Sequence, residues 1–232
     1  MCGRLNVIDD PGVRALCESL DIDLGWEAQI FSRYIGAANQ VSIVRQAAGS
    51  RKLENATWWL LLDVTEDGFR PSKYTSINTR YDSLNNPRKA GYRPFRQGRI
   101  IIPVKGFGES EYQKGKLLHC HDMSAEQGLL LGGLCKEWVH PNTGEIRLSC
   151  SVITLPPHPK LAAIHSKSMP MILPNDKALL ASWLDNEHDD IEQFSPLLSP
   201  YIPQALQVQQ IARPKQYEEL LGAPFTIAAD NA

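Results

Sequence analysis

Apolar residues along this chain fall mostly in short runs and alternations, with helical spacing confined to one stretch near the start and one toward the end. Asp9-Asp10-Pro11 reads as a helix start, a capping carboxylate followed by a proline whose missing N–H costs nothing in the first turn. Val13, Leu16, Cys17 and Leu20 follow at the spacing of one buried helical face. Pro174-Asn175-Asp176 caps a second helix containing Leu179, Leu180 and Trp183.

Elsewhere the pattern predicts strands. Gln40 to Ala47 alternates, with Val41, Ile43 and Arg45 on one side. Thr57 to Val64 and Arg99 to Val104 are continuous apolar runs of strand length, the second ended by Gly106-Phe107-Gly108. Leu117 to Met123 and Gly128 to Trp138 read as a β pair around a turn at Ser124 to Gln127. Arg147 to Leu155 is rich in β-branched residues and closed by Pro156-Pro157. Ser195 to Pro203 is proline-rich irregular chain, and Leu206 to Ala212 is a late strand. Many strands, few helices and no βαβ alternation predict an α+β fold: one domain over residues 1–232, built around a curved, mainly antiparallel and barrel-like sheet.

Composition narrows this picture. With 43% hydrophobic and 22% charged residues, the chain is an ordinary folded protein able to bury a substantial core. Five scattered cysteines, no secretory signal and no membrane-length apolar run predict a reduced cytoplasmic protein without disulfides. A net charge of −2 argues against nucleic-acid coating by bulk positive charge. Arg80, Arg88, Lys89, Arg93, Arg96 and Arg99 are nonetheless clustered, which on charge alone reads as a solvated basic face.

Cys2 carries the most distinctive chemistry. Methionine is removed readily before a small residue, leaving an amine and a thiol on adjacent carbons of Cys2. An α-amine has a pKa near 7.7–8.0, so about a tenth is nucleophilic at pH 7. It attacks an aldehyde to give a Schiff base, and the thiol then closes a five-membered thiazolidine with a large proximity advantage. A cysteine at this position also serves simply as a small buried residue.

Three further segments join a polar residue to strand-like or glycine-rich surroundings. In Ser76-Ile77-Asn78-Thr79-Arg80, Asn78 and Arg80 share a face if extended, suited to holding a carbonyl or hydroxyl and a phosphate. Gly106-Phe107-Gly108-Glu109 places a carboxylate after a flexible strand end, where it can exchange protons. Ile164-His165-Ser166-Lys167-Ser168-Met169-Pro170 sets a histidine beside a lysine. Singly, each also reads as a turn asparagine, a surface glutamate or a hydrogen-bonded histidine. His119-Cys120-His121-Asp122 is dense in metal-ligand types. Without Cys-x-x-Cys or His-x-x-x-His spacing it reads as the polar face of a strand with Cys120 buried opposite. Of Trp58 and Trp59, a strand would bury one and expose the other, where it could stack a base.

Taken together and in order, Met1-Cys2-Gly3-Arg4, the Ser76–Arg80 segment, Gly106–Glu109 and Ile164-His165 followed by Met169-Pro170 resemble the SOS-response-associated peptidase (SRAP) family of abasic-site-processing proteins. The resemblance spans almost the whole chain and implies a single α+β domain around a curved β structure. It implies that Cys2 is the nucleophile that cross-links to the ring-opened sugar of an abasic site in single-stranded DNA. Asn78 would orient the amine and sugar, Glu109 and His165 would handle protons, and Arg4, Arg80, Arg88 and Lys167 would hold DNA phosphates.

Several segments depart from the family pattern. His165 to Pro170 takes five steps instead of four, so Lys167 or Ser168 falls at the family's arginine. The usual Arg-Tyr-Asn-x-Ala-Pro segment is reduced to Arg33-Tyr34, the tryptophan–glycine strand reads Trp58-Trp59-Leu60-Leu61-Leu62-Asp63, and Ser110 replaces a tryptophan. These changes touch DNA-facing walls more than chemistry.

The expectation is therefore a monomeric DNA-repair enzyme with no metal or organic cofactor and no membrane partner. It would carry an abasic-site lyase side reaction, because an imine at C1′ permits β-elimination until the thiazolidine closes. The alternatives are an N-terminal-cysteine thiol peptidase acting on peptides or its own propeptide, and a non-catalytic single-strand-binding module.

Overall fold

Two long antiparallel strands, β8 (Arg99–Gln113) and β9 (Lys116–Val139), organise the fold. The structure, a computed structural model, describes residues 2–25, 29–187 and 190–230; Met1 of the N-terminal motif lies outside them. Lys114 and Gly115 join the two strands at φ 49° and 79°, the left-handed pair that a two-residue hairpin with right-handed twist demands. Before the hairpin come β1 (Arg4–Val7), α1 (Pro11–Ser19), β2 (Ser32–Gly36), β3 (Gln40–Ala47) and β4 (Ser50–Thr57). A small β5–β6 ribbon (Leu62–Val64, Phe69–Pro71), β7 (Asn78–Arg80) and α2 (Tyr92–Gln97) follow. After the hairpin come β10 (Ile146–Leu155), β11 (Met169–Pro170), β12 (Ile172–Leu173), α3 (Lys177–Leu184), β13 (Leu206–Arg213) and β14 (Gln216–Ile227).

The main sheet runs β14-β13-β9-β10-β4-β3-β8-β1-β2, and β9 pairs β8 as well. It curls strongly, but β10 meets β4 through one register pair, Ser149 with Thr57, and β3 meets β8 through one, Val44 with Ile101. The expected α+β domain with a curved sheet is present. The sheet is not closed into a barrel, and it is mixed, because β10 runs parallel to both β4 and β7.

The two helices expected from the pattern, α1 and α3, start where capping chemistry places them. The Asp10 carboxylate accepts from the Val13 N–H at 2.8 Å, and the Asp176 carboxylate accepts from the Leu179 N–H at 2.8 Å. Val13, Leu16, Cys17 and Leu20 are buried as their spacing predicts. Among the described residues, no helix is long and apolar enough to cross a membrane.

Three strand expectations fail for identifiable reasons. The turn at Ser124 to Gln127 does not reverse the chain, because both flanks pair with β8 instead of with each other. Ser124 lies opposite Gly106 and Leu129 opposite Val104, so residues 125–128 bulge out against Lys105 alone. The glycines after Val104 likewise fail to end β8, which continues to Gln113. Thr57 to Val64 is interrupted: Trp59 N–H donates back to Thr57 O at 2.7 Å and Leu60 N–H to Ser76 O at 3.0 Å. That run is apolar because it is enclosed, with Trp58 fully buried and its Nε1–H on Ile77 O, and not because it is extended. The tail contains a 3₁₀ turn at Glu192–Leu198 and then β14, which no pattern announced because its residues face solvent almost throughout.

Gly106 is a point where only glycine fits. A Cβ there would drive into the backbone of Met123 and Ser124 across the bulge. Gly106→Ala is expected to destabilise by about 1–3 kcal/mol as an overpacking change. Each kcal/mol lowers the melting temperature of a domain this size by about 2–4 °C, readable by calorimetry.

Candidate active site

The sheet delivers the candidate residues from four separate elements. β1 lies antiparallel to β8 with Arg4 opposite Gly108, which carries Cys2 and Gly3 alongside the start of the Glu109 segment. β7 lies parallel to β10, Asn78 opposite Val152, and the Asn78 Nδ2–H donates to the Cys2 carbonyl at 2.7 Å. His165 follows a 3₁₀ turn at Pro159–Leu161, its N–H donating to Leu161 O at 2.9 Å, and leads into β11, which pairs with β10. Its Nε2 lies 3.8 Å from Glu109 Oε2, and its Nδ1 lies 3.0 Å from Glu111 Oε2. Cys2, Asn78, Glu109 and His165 thus converge, although they span most of the chain.

Burial sets the electrostatics. Glu109 is 2% exposed and His165 4%. Burial raises the Glu109 carboxyl to about 7, against the pull of Arg4 and with a push from Glu111. Burial lowers His165 to about 4, helped by Lys167 and opposed by Glu111. Near neutral pH the pair therefore offers a carboxyl poised to give or take a proton and an imidazole held neutral. Burial, with the Glu109 charge, pushes the Cys2 thiol well above its usual range, so its sulfur is protonated. The Cys2 Sγ lies 3.9 Å from Arg4 O.

A cavity of about 370 Å³ opens beside these groups, lined by Gly3, Arg4, Gly108, His165, Lys167 and aromatic residues considered below. Lys167 is exposed and also lines a second cavity with Arg80 and Ser168. Both candidates for the family's arginine position, Lys167 and Ser168, thus reach the Arg80 side, but only Lys167 faces His165 as well. Arg80 is exposed and ion-paired with Asp82 at 2.6 Å. Arg88 is exposed too and lines a separate basic cavity with Lys89, Arg93 and Lys136.

Arg4, Arg99 and Arg96 are structural. Arg4 is 2% exposed and bound to Asp122 and to His121 O, so its charge is already matched where it meets the cavity. A Cβ on Gly108 would collide with that guanidinium, which explains the second glycine of the motif. Arg99, expected on a basic face, is fully buried and donates to the carbonyls of Phe95, Arg96, Trp183 and Asp185. Arg96 turns back onto Leu84 O and Tyr92 O.

Two participants, Glu111 and Tyr217, were not singled out from the sequence, and a third, Asp122, has a role other than the one weighed for it. Glu111 touches His165 and accepts from Ser166 N–H and Oγ–H at 3.1 and 3.2 Å. Its signal was available, since residues two apart on a strand share a face. Asp122 holds Arg4 and Arg33 together, pairings across 118 and 89 residues that no local pattern reveals. Tyr217 lies in unannounced β14. His119 and His121 share a strand face with rings 4.9 Å apart and Cys120 is buried. Among the described residues, no three His, Cys, Asp or Glu side chains gather as metal ligands. Trp59 is half-buried while Trp58 is in the core.

Comparison with known proteins adds an independent line. The model of the family described as SOS response associated peptidase (SRAP) matches residues 1–214. A crystal structure of a protein from Bacteroides thetaiotaomicron superposes with TM-score 0.67 at 16% identity, covering 91% of this chain and 93% of the other. One from Bordetella bronchiseptica gives 0.68 at 16% identity, with 91% and 100% covered. A phage-related protein from the same organism gives 0.59 at 17%, with 85% and 87% covered. These likenesses concern the fold. A comparison with curated proteins gave no match.

Proposed function

The chain belongs to the SOS response associated peptidase (SRAP) family, which is associated with the DNA-damage response, and from that premise we propose that it captures abasic sites in single-stranded DNA covalently through Cys2. The observation that carries this reading is the convergence of Cys2, Asn78, Glu109 and His165, of which His165 opens onto a cavity that Lys167 also lines.

With Met1 removed, the Cys2 amine attacks C1′ of the ring-opened sugar. Asn78 holds the Cys2 carbonyl and so aims that amine. Protonated Glu109 gives its proton to the departing oxygen, which leaves as water, and neutral His165 accepts the proton shed by nitrogen. The Cys2 sulfur then adds to the imine carbon, its proton passing to the ionised Glu109 or to the nitrogen. Ring closure removes the imine and with it the route to β-elimination. Arg80, Arg88 and Lys167 hold backbone phosphates, while Arg4, already matched by Asp122, shapes the cavity wall instead of holding a phosphate.

The thiol-peptidase reading needs a thiolate as first nucleophile. Burial and Glu109 oppose that form of Cys2, which favours the amine-first order. The deciding experiment is the intact mass of the protein after incubation with an abasic oligonucleotide. A gain of one oligonucleotide minus one water is expected with abasic DNA and none with intact DNA. Peptide turnover without that gain would transfer the assignment to the peptidase.

Noncovalent affinity for single strands is expected to fall with salt, with a slope of about −0.7 per phosphate neutralised. Lys167→Ala and Arg88→Ala should each reduce that slope by about 0.7 in a fluorescence-anisotropy titration. A slope unmoved by either change would remove these side chains from the phosphate path.

A further inference from the structure

The rim of the candidate active site contains an aromatic assembly built partly by chain that the family does not cover. The family match ends at residue 214, whereas β14 begins at Gln216 and pairs with β13 from Arg213–Gln216 to Leu206–Ile227. Pro214, at the turn of this hairpin, lines the same cavity as His165 and Lys167, and so do Tyr34 and Tyr112.

Tyr34 is held in place by two packings. The hydroxyl end of its ring lies beside Gly36, where a Cβ would stand 3.1 Å from its Cε1. It also stacks on Tyr217 of β14, with centroids 6.3 Å apart and planes 14° from parallel. The Arg33 guanidinium sits 4.9 Å from the Tyr217 ring centre and is ion-paired with Asp122, which also holds Arg4. Tyr217 is thereby tied to the cavity wall, while Tyr112 stands 48% exposed at the cavity.

We propose that Tyr34 and Tyr112 form a stacking subsite for the nucleobase next to the abasic residue, with Tyr217 as the positioning residue that fixes Tyr34. The inference rests on the single-stranded DNA reading above and extends it to the flanking base. An abasic residue offers no π face of its own, so the neighbouring base is the group that aromatic walls can hold. Lys167 lines the same cavity, where it would hold the connecting phosphate. Stacking accepts any base, so the subsite would locate the lesion without reading sequence.

The test uses the full chain and an oligonucleotide carrying tetrahydrofuran, an abasic analogue without an aldehyde, so that binding is separated from Cys2 chemistry. A 5-iodouracil is placed on one side of the analogue or the other, irradiated, and the cross-linked peptide identified by mass spectrometry. Cross-linking to Tyr34 or Tyr112 is expected from one flank only. Tyr34→Ala should weaken binding about 5- to 150-fold, the range of one lost stack. Tyr217→Ala should lower the cross-link yield at Tyr34 while Tyr217→Phe, which keeps the ring, retains it. An oligonucleotide that binds by anisotropy but cross-links to neither tyrosine from either flank overturns the subsite alone, as does a Tyr217→Ala yield equal to wild type. An analogue that does not bind at all overturns the DNA reading and this inference together.

Discussion

Cys2→Ala is expected to abolish the heat-stable adduct with abasic DNA while leaving an imine that borohydride traps. The amine belongs to the backbone, so alanine keeps it, and Met1 is still removed before a small residue. Without sulfur no ring closes, and the persisting imine acidifies C2′, so the strand should be nicked by β-elimination. Proximity in ring closure corresponds to effective molarities of about 10⁵–10⁸ M, which external thiols at millimolar concentration do not replace. Blocking the amine, by a retained Met1 or an N-terminal tag, should abolish both the trapped imine and the stable adduct although the thiol is intact. A thiol-first hydrolase predicts the opposite ranking, with the alanine variant inert. Full-rate cross-linking by a protein whose amine is verified as blocked would overturn the amine-first mechanism. Gel mobility after heating, with and without reductant, reads all these species in one experiment.

Glu109→Gln should slow cross-link formation by about 10²–10⁴-fold, the usual loss when a positioned acid or base is removed. The variant should fold, because glutamine is nearly isosteric and carries no charge to bury. The pH profile provides the specific signature. Glu109 acts as an acid only when protonated, and burial raises it to about 7, so its contribution falls as pH rises through 7. The amine reacts only when neutral, so its contribution climbs toward the ordinary α-amine range of about 7.7–8.0. The product is a bell with its maximum between these limbs, and the Gln variant should lose the limb near 7.

Linkage gives an independent check on the same group. A carboxyl raised by folding stabilises most below its unfolded pKa, and that contribution is lost as pH rises through about 7. Chemical denaturation should therefore show Glu109→Gln gaining stability relative to wild type between about pH 4.5 and 7. A rate loss with no change in either pH dependence would mean that Glu109 acts through packing and not as an acid.

The sequence by itself determined the pieces whose physics is local. Asp10 and Asp176 cap their helices because a carboxylate three residues from an N–H needs no distant partner. The α+β class followed from strand-length apolar runs, and Cys2, Asn78, Glu109 and His165 were named from chemistry together with a family order. Tertiary structure decided whatever depends on which strand pairs with which. The segment Ser124 to Gln127 carries turn residues, yet it bulges, because the β8 partner is long enough to engage both of its flanks. Trp58 breaks a run that reads as strand because its indole is drawn onto Ile77 O, a contact across the chain. Arg99 and Arg88 look alike in sequence, but one satisfies four carbonyls in the interior and the other stands in solvent. The shifted proton affinities of Glu109 and His165 belong to the same class. Composition records that a carboxyl and an imidazole are present, but only burial, set by the packing of β1, β7, β8 and β11 around them, decides which form each holds at neutral pH.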